Sequence, residues 1–495
     1  MLRKVRVWAA AICFTLITLL FLDFTGTIHS YFGWLAKIQL LPALLAFNVG
    51  VVALLIIATL LFGRLYCSVI CPLGVFQDIV SRFAASRSGK KARFSHSKNL
   101  AWLRFVTLAL FVVALVAGVG SLVALLAPYS AYGRIASNLF APVWQWGNNI
   151  LAYVAERRES YLFYEHEVWI KSISTFIIAV VTFVVISILA WRNGRTYCNT
   201  ICPVGTILGY LSQFSLLKPY FDMEKCNSCG LCERKCKASC ISSKQGTIDY
   251  TRCVLCFDCI ESCNKGAMRY GRRTKVVAAA KGEPQAKGES RKAFLATSLV
   301  VATAAAKAQT TKVDGGLALL IDKQAPERKV HIVPPGAQSI KNLASKCTGC
   351  QLCISVCPNG VLRPSMSLER MMQPELSFER GFCRPECTKC SEVCPTGAIE
   401  LISREEKSMI HIGRARWSKK NCVVFTDDVD CGACAAHCPA GAITMVAIDR
   451  EDPASRKIPI VNADRCIGCG ACEYICPAAP FSAIHVEGNS RHITL

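Results

Sequence analysis

Three common chemistries are missing from this chain. It has no Gly-rich dinucleotide fingerprint beside a strand and helix, no phosphate-binding loop and no C-x2-C-H haem attachment. A nucleotide site or a covalent haem of its own is thereby excluded. Acidic residues are scarce too, 34 Asp and Glu against 57 Lys and Arg, for a net charge of +23. In a soluble chain that excess would suggest nucleic acid. Here the hydrophobic share is 52%, concentrated in long apolar runs with basic residues beside them, which is a membrane pattern and argues against a nucleic-acid partner.

What is abundant is cysteine, 30 in 495 residues, too many for buried packing to explain. A disulfide framework belongs to short secreted chains, and these cysteines are ordered differently. Cys347, Cys350, Cys353 and Cys357 read C-x2-C-x2-C-x3-C followed by Pro358, and Cys466, Cys469, Cys472 and Cys476 repeat this before Pro477. Between them, Cys383, Cys387, Cys390 and Cys394 lengthen the first gap by one residue, and Cys422, Cys431, Cys434 and Cys438 lengthen it to eight. This is the bacterial ferredoxin run for a 4Fe-4S cluster: three closely spaced thiolates line one cubane and the fourth ligates its neighbour. Paired C-x2-C also makes zinc sites, but a repeated run of three cysteines at this spacing favours iron–sulfur.

Cys226, Cys229, Cys232 and Cys236, then Cys253, Cys256, Cys259 and Cys263, are two further runs, with Lys237 and Asn264 where Pro usually follows. Cross-ligation pairs Cys226, Cys229 and Cys232 with Cys263, and Cys253, Cys256 and Cys259 with Cys236. Six 4Fe-4S clusters are therefore expected. Cys240 reads as a nearby free thiol, with substitute ligation as the alternative, and Cys13 as packing.

Apolar runs predict four transmembrane helices, Val5 to Leu22 and about 40–62, 103–126 and 170–191. A cleaved signal peptide at the start is disfavoured, because no small-residue cleavage site follows Asp23. Arg82, Arg87, Lys90, Lys91, Arg93 and Lys98 between the second and third spans place both ends of this unit in the cytoplasm. The stretch Ala127 to Trp169 is then an external loop, with Tyr129, Tyr132, Trp144, Trp146 and Tyr153 suited to a membrane interface.

The second and fourth spans end alike. Gly63-Arg64-Leu65-Tyr66-Cys67 through Cys71-Pro72-Leu73-Gly74 returns as Gly194-Arg195-Thr196-Tyr197-Cys198 through Cys202-Pro203-Val204-Gly205, an internal repeat of two helices and one motif. Each C-x3-C puts its two thiols on one face if the backbone is helical there, and the repeat puts both pairs at the same cytoplasmic edge. Cys67, Cys71, Cys198 and Cys202 are candidates for a further metal or for redox thiols, or else small residues packing a Pro-ended corner.

The chain divides into a four-helix transmembrane domain (1–215), a cytoplasmic two-cluster ferredoxin domain (216–270), a basic linker (271–292), a signal-like segment (293–308) and a four-cluster polyferredoxin domain (309–495). The signal-like segment has a basic start at Ser290-Arg291-Lys292, an apolar middle and an A-x-A end. If it crosses as a fifth span, the last domain is external; if it lies on the surface, all clusters are cytoplasmic. Crossing is the expectation. The fold class is α+β, multidomain and membrane-bound.

On these motifs, residues 1 to about 275 resemble the NapH and MauN family of membrane ferredoxins. The chain from about 288, with Pro334-Pro335-Gly336-Ala337 and its four cysteine groups, resembles the NapG and MauM polyferredoxin family. The resemblance implies a fusion of quinol dehydrogenase components in a bacterial inner membrane. It would draw on the quinone pool, serve a periplasmic cytochrome or terminal reductase and associate with other respiratory subunits. It also implies nested pairing in the last domain, first run with fourth and second with third, sequential pairing being the alternative. Asp23, His29, Glu165, His166 and Glu167 are candidate proton acceptors for a quinol. The basic residues Arg404, Lys407, Arg414, Arg416, Lys419 and Lys420 read as a solvated face or a docking patch for an acidic cytochrome. A role in assembling or regulating another protein's metal centre is the competing function.

Overall fold

The computed structural model describes residues 1–87, 94–160, 162–272, 312–313, 319–320, 322–449, 451–452 and 455–494. The signal-like segment 293–308 and nearly all of the basic linker lie outside them.

Two helices are long and apolar enough to cross a membrane, α1 (Leu2–Leu22) and, later, Ile173–Asn193, each of 21 residues. At 1.5 Å per residue each is about 31 Å long, the thickness of a hydrocarbon core. The other two expected spans are interrupted, and the described residues do not show the expected four-helix membrane unit. The second breaks into α2 (Leu40–Leu45) and α3 (Val49–Phe62) at Phe47, whose φ of 53° ends the helix in a left-handed turn; Asn48 N–H bonds back to Ala43 O at 2.9 Å. The Asn48 side chain then caps α3, accepting from Val51 N–H at 3.2 Å. The third breaks between helices Ala101–Val116 and Gly120–Leu126, at Gly118 with φ 72°. The longer pieces have 14 and 16 residues, about 21 and 24 Å, short of a full crossing. A hydropathy window averages over such turns and cannot register them.

After α3 come α4 (Leu65–Val69) and α5 (Pro72–Arg87), and the same pair recurs as α11 (Thr196–Thr200) and α12 (Pro203–Leu211). Between the pairs run α6 (Ala101–Val116), α7 (Gly120–Leu126), α8 (Pro128–Ile135), α9 (Ala141–Glu156) and α10 (Ile173–Asn193). The expected external loop is therefore helical. All of α8 is buried, and Tyr129 and Tyr132 pack on Phe21 of α1, not at an interface. Trp144, Trp146 and Tyr153 on α9 are exposed.

The cysteine-rich parts are loops closed by short antiparallel ribbons. Strands β1 (Leu217–Phe221) and β2 (Met268–Arg272) pair with Leu217 opposite Arg272 and clamp both ends of the first such part. In the last domain β3 (Leu362–Pro364) pairs with β4 (Pro374–Leu376), β5 (Ile410–Trp417) with β8 (Ile484–Thr494), and β6 (Ile443–Ala447) with β7 (Lys457–Val461). Apart from the β5–β8 ribbon, the elements described here are short, and cysteines make up much of the buried interior.

These two parts sit at opposite ends of α1. Arg3, at its start, pairs with Asp258 at 2.7 Å. Beyond its end, Thr25 O accepts from Lys389 Nζ at 2.9 Å, while Asn138 and Lys171 bond to Gln351 and Ile354 O at 2.8 and 2.7 Å.

Candidate iron–sulfur sites

The loops between cysteines are shaped by left-handed residues. Ser228, Leu255, Gly349 and Gly468 precede the second cysteine of their runs with φ of 53–77°, and Gly230, Phe257, Gln351 and Gly470 follow it with φ of 62–80°. Each loop thus curls back and leads into one helical turn that carries the third cysteine. Left-handed backbone at bulky Leu255 and Phe257 is costly, and it is tolerated where a loop must wrap something. The lengthened groups at Cys383 and Cys422 lack these paired residues but also place their third cysteine on a short helix, Lys389–Glu392 and Ala433–Ala436.

The fourth cysteine of each run crosses to a neighbouring site. A cavity of about 170 Å³ is lined by Cys226, Cys229, Cys232 and Cys263. Cys236 stands with Cys256 and Cys259, and its sulfur lies 3.5 Å from that of Cys240, which also meets Cys253. Cys240 is therefore at the heart of this site, more central than its sequence position suggested. In the last domain Cys357 lines one cavity with Cys383, Cys387 and Cys390, and Cys394 stands by Cys347, Cys350 and Cys353. Cys438 shares a cavity with Cys466, Cys469 and Cys472, and Cys476 stands by Cys434. The first run thus meets the second and the third meets the fourth, sequentially, and not in the nested order that the resemblance implies. The two pairs adjoin where Cys383 N–H bonds Cys469 O at 2.9 Å.

These donor sets fit iron–sulfur clusters. Backbone N–H groups of Gly349, Ile399, Ala415, Ala442 and Ala483 donate to the sulfurs of Cys347, Cys394, Cys466, Cys438 and Cys476 at 3.3–3.4 Å, the hydrogen bonds that tune such clusters. A lone zinc would draw four sulfurs to about 3.8 Å of one another, given 2.3 Å bonds. Among the described residues, no three Cys, His, Asp or Glu side chains gather as a single ion requires. Buried cations stand by to offset anionic sites. Lys407 is not part of a solvated face: it is buried and donates to Arg384 O and Cys387 O beside Cys383. Arg404, Arg414, Lys419 and Lys420 are exposed.

Between the two ends of α1 lie Cys67, Cys71, Cys198 and Cys202, all buried at 4–5% exposure. Arg64 and Arg195, fully buried, flank them; Arg195 bonds Asp78 at 2.8 Å, and Asp78 also receives Arg6 and, at 3.5 Å, Lys237. Lys237 in turn pairs with Asp258 at 2.9 Å. These charged residues escaped the sequence reading, although the repeated Gly-Arg ahead of each motif was a usable signal.

The acid and base candidates gather beyond the end of α1 without forming one site. Asp23 is buried, which opposes its ionisation, but hydrogen bonds from His29, Thr25 and Gly26 hold its carboxyl well below the usual range, so it is a poor proton acceptor. His166 stacks on Phe24 at 5.2 Å, and Glu167 pairs with Arg380.

Loops of this form, repeated with crossing fourth cysteines, define an iron–sulfur electron-transfer protein. Residues 44–91 and 174–220 match a 4Fe-4S binding domain family, 346–398 and 429–479 a 4Fe-4S dicluster domain, and 249–361 another dicluster family. An uncharacterised protein of Methanocaldococcus jannaschii, MJ0749, is 34% identical over 21% of this chain and 41% of its own length. A second from that organism, MJ0750, is 24% identical over 52% of this chain and 92% of its own length. YccM of Escherichia coli, named as an electron transport protein, is 22% identical over 45% of this chain and 55% of its own length. No solved structure matches.

Proposed function

We propose that this chain is a membrane-embedded conductor that takes electrons from a quinol and delivers them to a redox protein docked on the last domain, on the outer face of a bacterial inner membrane. The observation that carries this reading is the placement of thiol-lined sites at both ends of α1, a helix long enough to cross a bilayer. When bound, each 4Fe-4S cluster takes up and passes on one electron. The twenty-four cysteines of the six ferredoxin runs are the proposed ligands, in the pairings given above.

The chain also offers a place for a lipid-soluble donor. A cavity of about 470 Å³ opens between α1 and α5 near the Arg3 end, with Val7, Ala10, Phe14, Ile79 and Phe83 as apolar wall and Arg6, Asp78 and Lys237 at its polar end. Its size and lining suit a quinone ring. The buried Arg6 Nε, which has no partner, is poised to donate to a ring oxygen. Lys237 is adjacent in sequence to Cys236 and faces Cys256, so a ring bound there would lie next to the first pair of sites. The likeness to the NapH, MauN, NapG and MauM families supports the same assignment.

The test is turnover. Purified full-length protein in lipid nanodiscs should be reduced by a short-chain menaquinol and reoxidised repeatedly by a soluble cytochrome, with Arg6→Ala raising the quinol KM at least tenfold. Stoichiometric metal transfer without sustained quinol oxidation would instead favour a role in assembling another protein's metal centre.

A further inference from the structure

Each segment matched to a 4Fe-4S binding domain contains only two of the cysteines in its C-x3-C-P motif, half a ligand set. The fold brings the halves together. Gly63 and Gly194, with φ of 88° and 68°, end α3 and α10 and turn the chain into α4 and α11. The two cysteine pairs then face each other about a local pseudo-twofold. Arg195 of the second repeat donates to Cys67 O at 2.8 Å and Arg64 of the first to Cys198 O at 3.4 Å; each also reaches the thiol three residues after it, at 3.9 Å. Cys198 is an electrostatic neighbour of Cys67, Cys71 and Cys202. Gly205 N–H donates to Cys202 Sγ at 3.3 Å and Gln77 Nε2 to Cys198 Sγ at 3.2 Å, the same kind of bond found at the ferredoxin sites.

The symmetry breaks in charge. Asp78 of the first repeat corresponds to Gly209 of the second, so Arg195 has a carboxylate partner, whereas among the described residues no carboxylate lies in ion-pair range of Arg64. Its guanidinium is satisfied only by Asn199 Oδ1, the Thr251 and Cys198 carbonyls and Cys67, and its buried Nε has no partner. Arg134, also fully buried, donates to Ala124 O, while its Nε and second terminal nitrogen are unpartnered; it stands between Tyr197 and Cys350. Buried cations without anions are strongly unfavourable. Neutral thiols do not meet that need; thiolates holding a negatively charged centre do.

We propose that Cys67, Cys71, Cys198 and Cys202 together bind a single thiolate-ligated iron–sulfur centre shared by the two repeats. It joins the Cys253 site, which Arg64 approaches through Thr251, to the Cys347 site, which Tyr197 and Arg134 approach through Cys350. An electron enters from one and leaves to the other with no bond made or broken. The inference rests on the iron–sulfur reading of the ferredoxin runs but not on the identity of the donor.

The experiment compares anaerobically purified full-length protein with Cys71→Ser/Cys202→Ser. Iron, acid-labile sulfide and Mössbauer spectra are measured, and native cysteine connectivity is read by mass spectrometry. The double variant should lose two to four irons per chain and one spectral component, with the others unchanged. Gln77→Leu, which removes one N–H···S bond, should keep the iron count and shift one component's midpoint potential; this variant decides the matter if the double variant misfolds. Unchanged iron and spectra in the double variant, or a native disulfide among the four cysteines, overturns the shared centre while leaving the six ferredoxin sites standing. Wild-type protein without iron in those six sites would overturn the wider reading as well.

Discussion

Replacing Asp78 by Asn tests whether one carboxylate holds the helical part to the first ferredoxin part. Its oxygens meet Arg195 at 2.8 Å and Lys237 at 3.5 Å, as well as Arg6. With an effective dielectric constant of about 20, the first two contacts correspond to gross attractions of about 6 and about 5 kcal/mol. Desolvation offsets most of that in the intact hub. It does not do so in the variant, where buried Arg6 and Arg195 keep their charge and lose their anion, and Lys237 is left with Asp258 alone. Such single removals cost about 3–5 kcal/mol. In detergent the melting midpoint should fall by on the order of 10 °C, and Arg6→Gln on the Asp78→Asn background should recover part of the loss, since one stranded cation is then gone. Melting within about 1 kcal/mol of wild type, or purely additive losses in the double variant, would refute the hub.

Three further outcomes follow from the geometry. Cys394→Ser and Cys350→Ser should each remove the same site, about four irons by iron assay, and the double variant should lose no more than either alone; nested pairing would make the losses additive. Gly470→Ala should destabilise the last domain by about 2–5 kcal/mol in a denaturant titration, because φ is +80° and the new methyl would lie 2.2–2.4 Å from the Phe378 ring. Burial pushes the His492 imidazole down to about 4, against the opposing effect of its contact with the Val333 backbone. The unfolded chain therefore binds this proton more readily, so the contribution is complete above pH 6.5, falls between pH 6.5 and 4 and levels off below, by about 3 kcal/mol in all. A pH series of melting midpoints, flattened in His492→Gln, measures it.

The 4Fe-4S binding character of the cysteine runs and the repeat of the C-x3-C-P motif were legible in the chain itself, because such loops are local: in four of the six runs three cysteines, their left-handed neighbours and one helical turn lie within a dozen residues. The two long apolar helices were legible for the same reason, being continuous apolar runs. The broken second and third spans were not, since a left-handed turn at Phe47 or Gly118 costs the hydropathy profile nothing. Nor were the pairing partners of Cys357 and Cys394 or the central place of Cys240. Those depend on which loops the ribbons and helix ends bring together across long separations. The buried arginines make the same point: Arg64 and Arg195 occupy equivalent places in the repeat, and only packing gives one of them a carboxylate and leaves the other without.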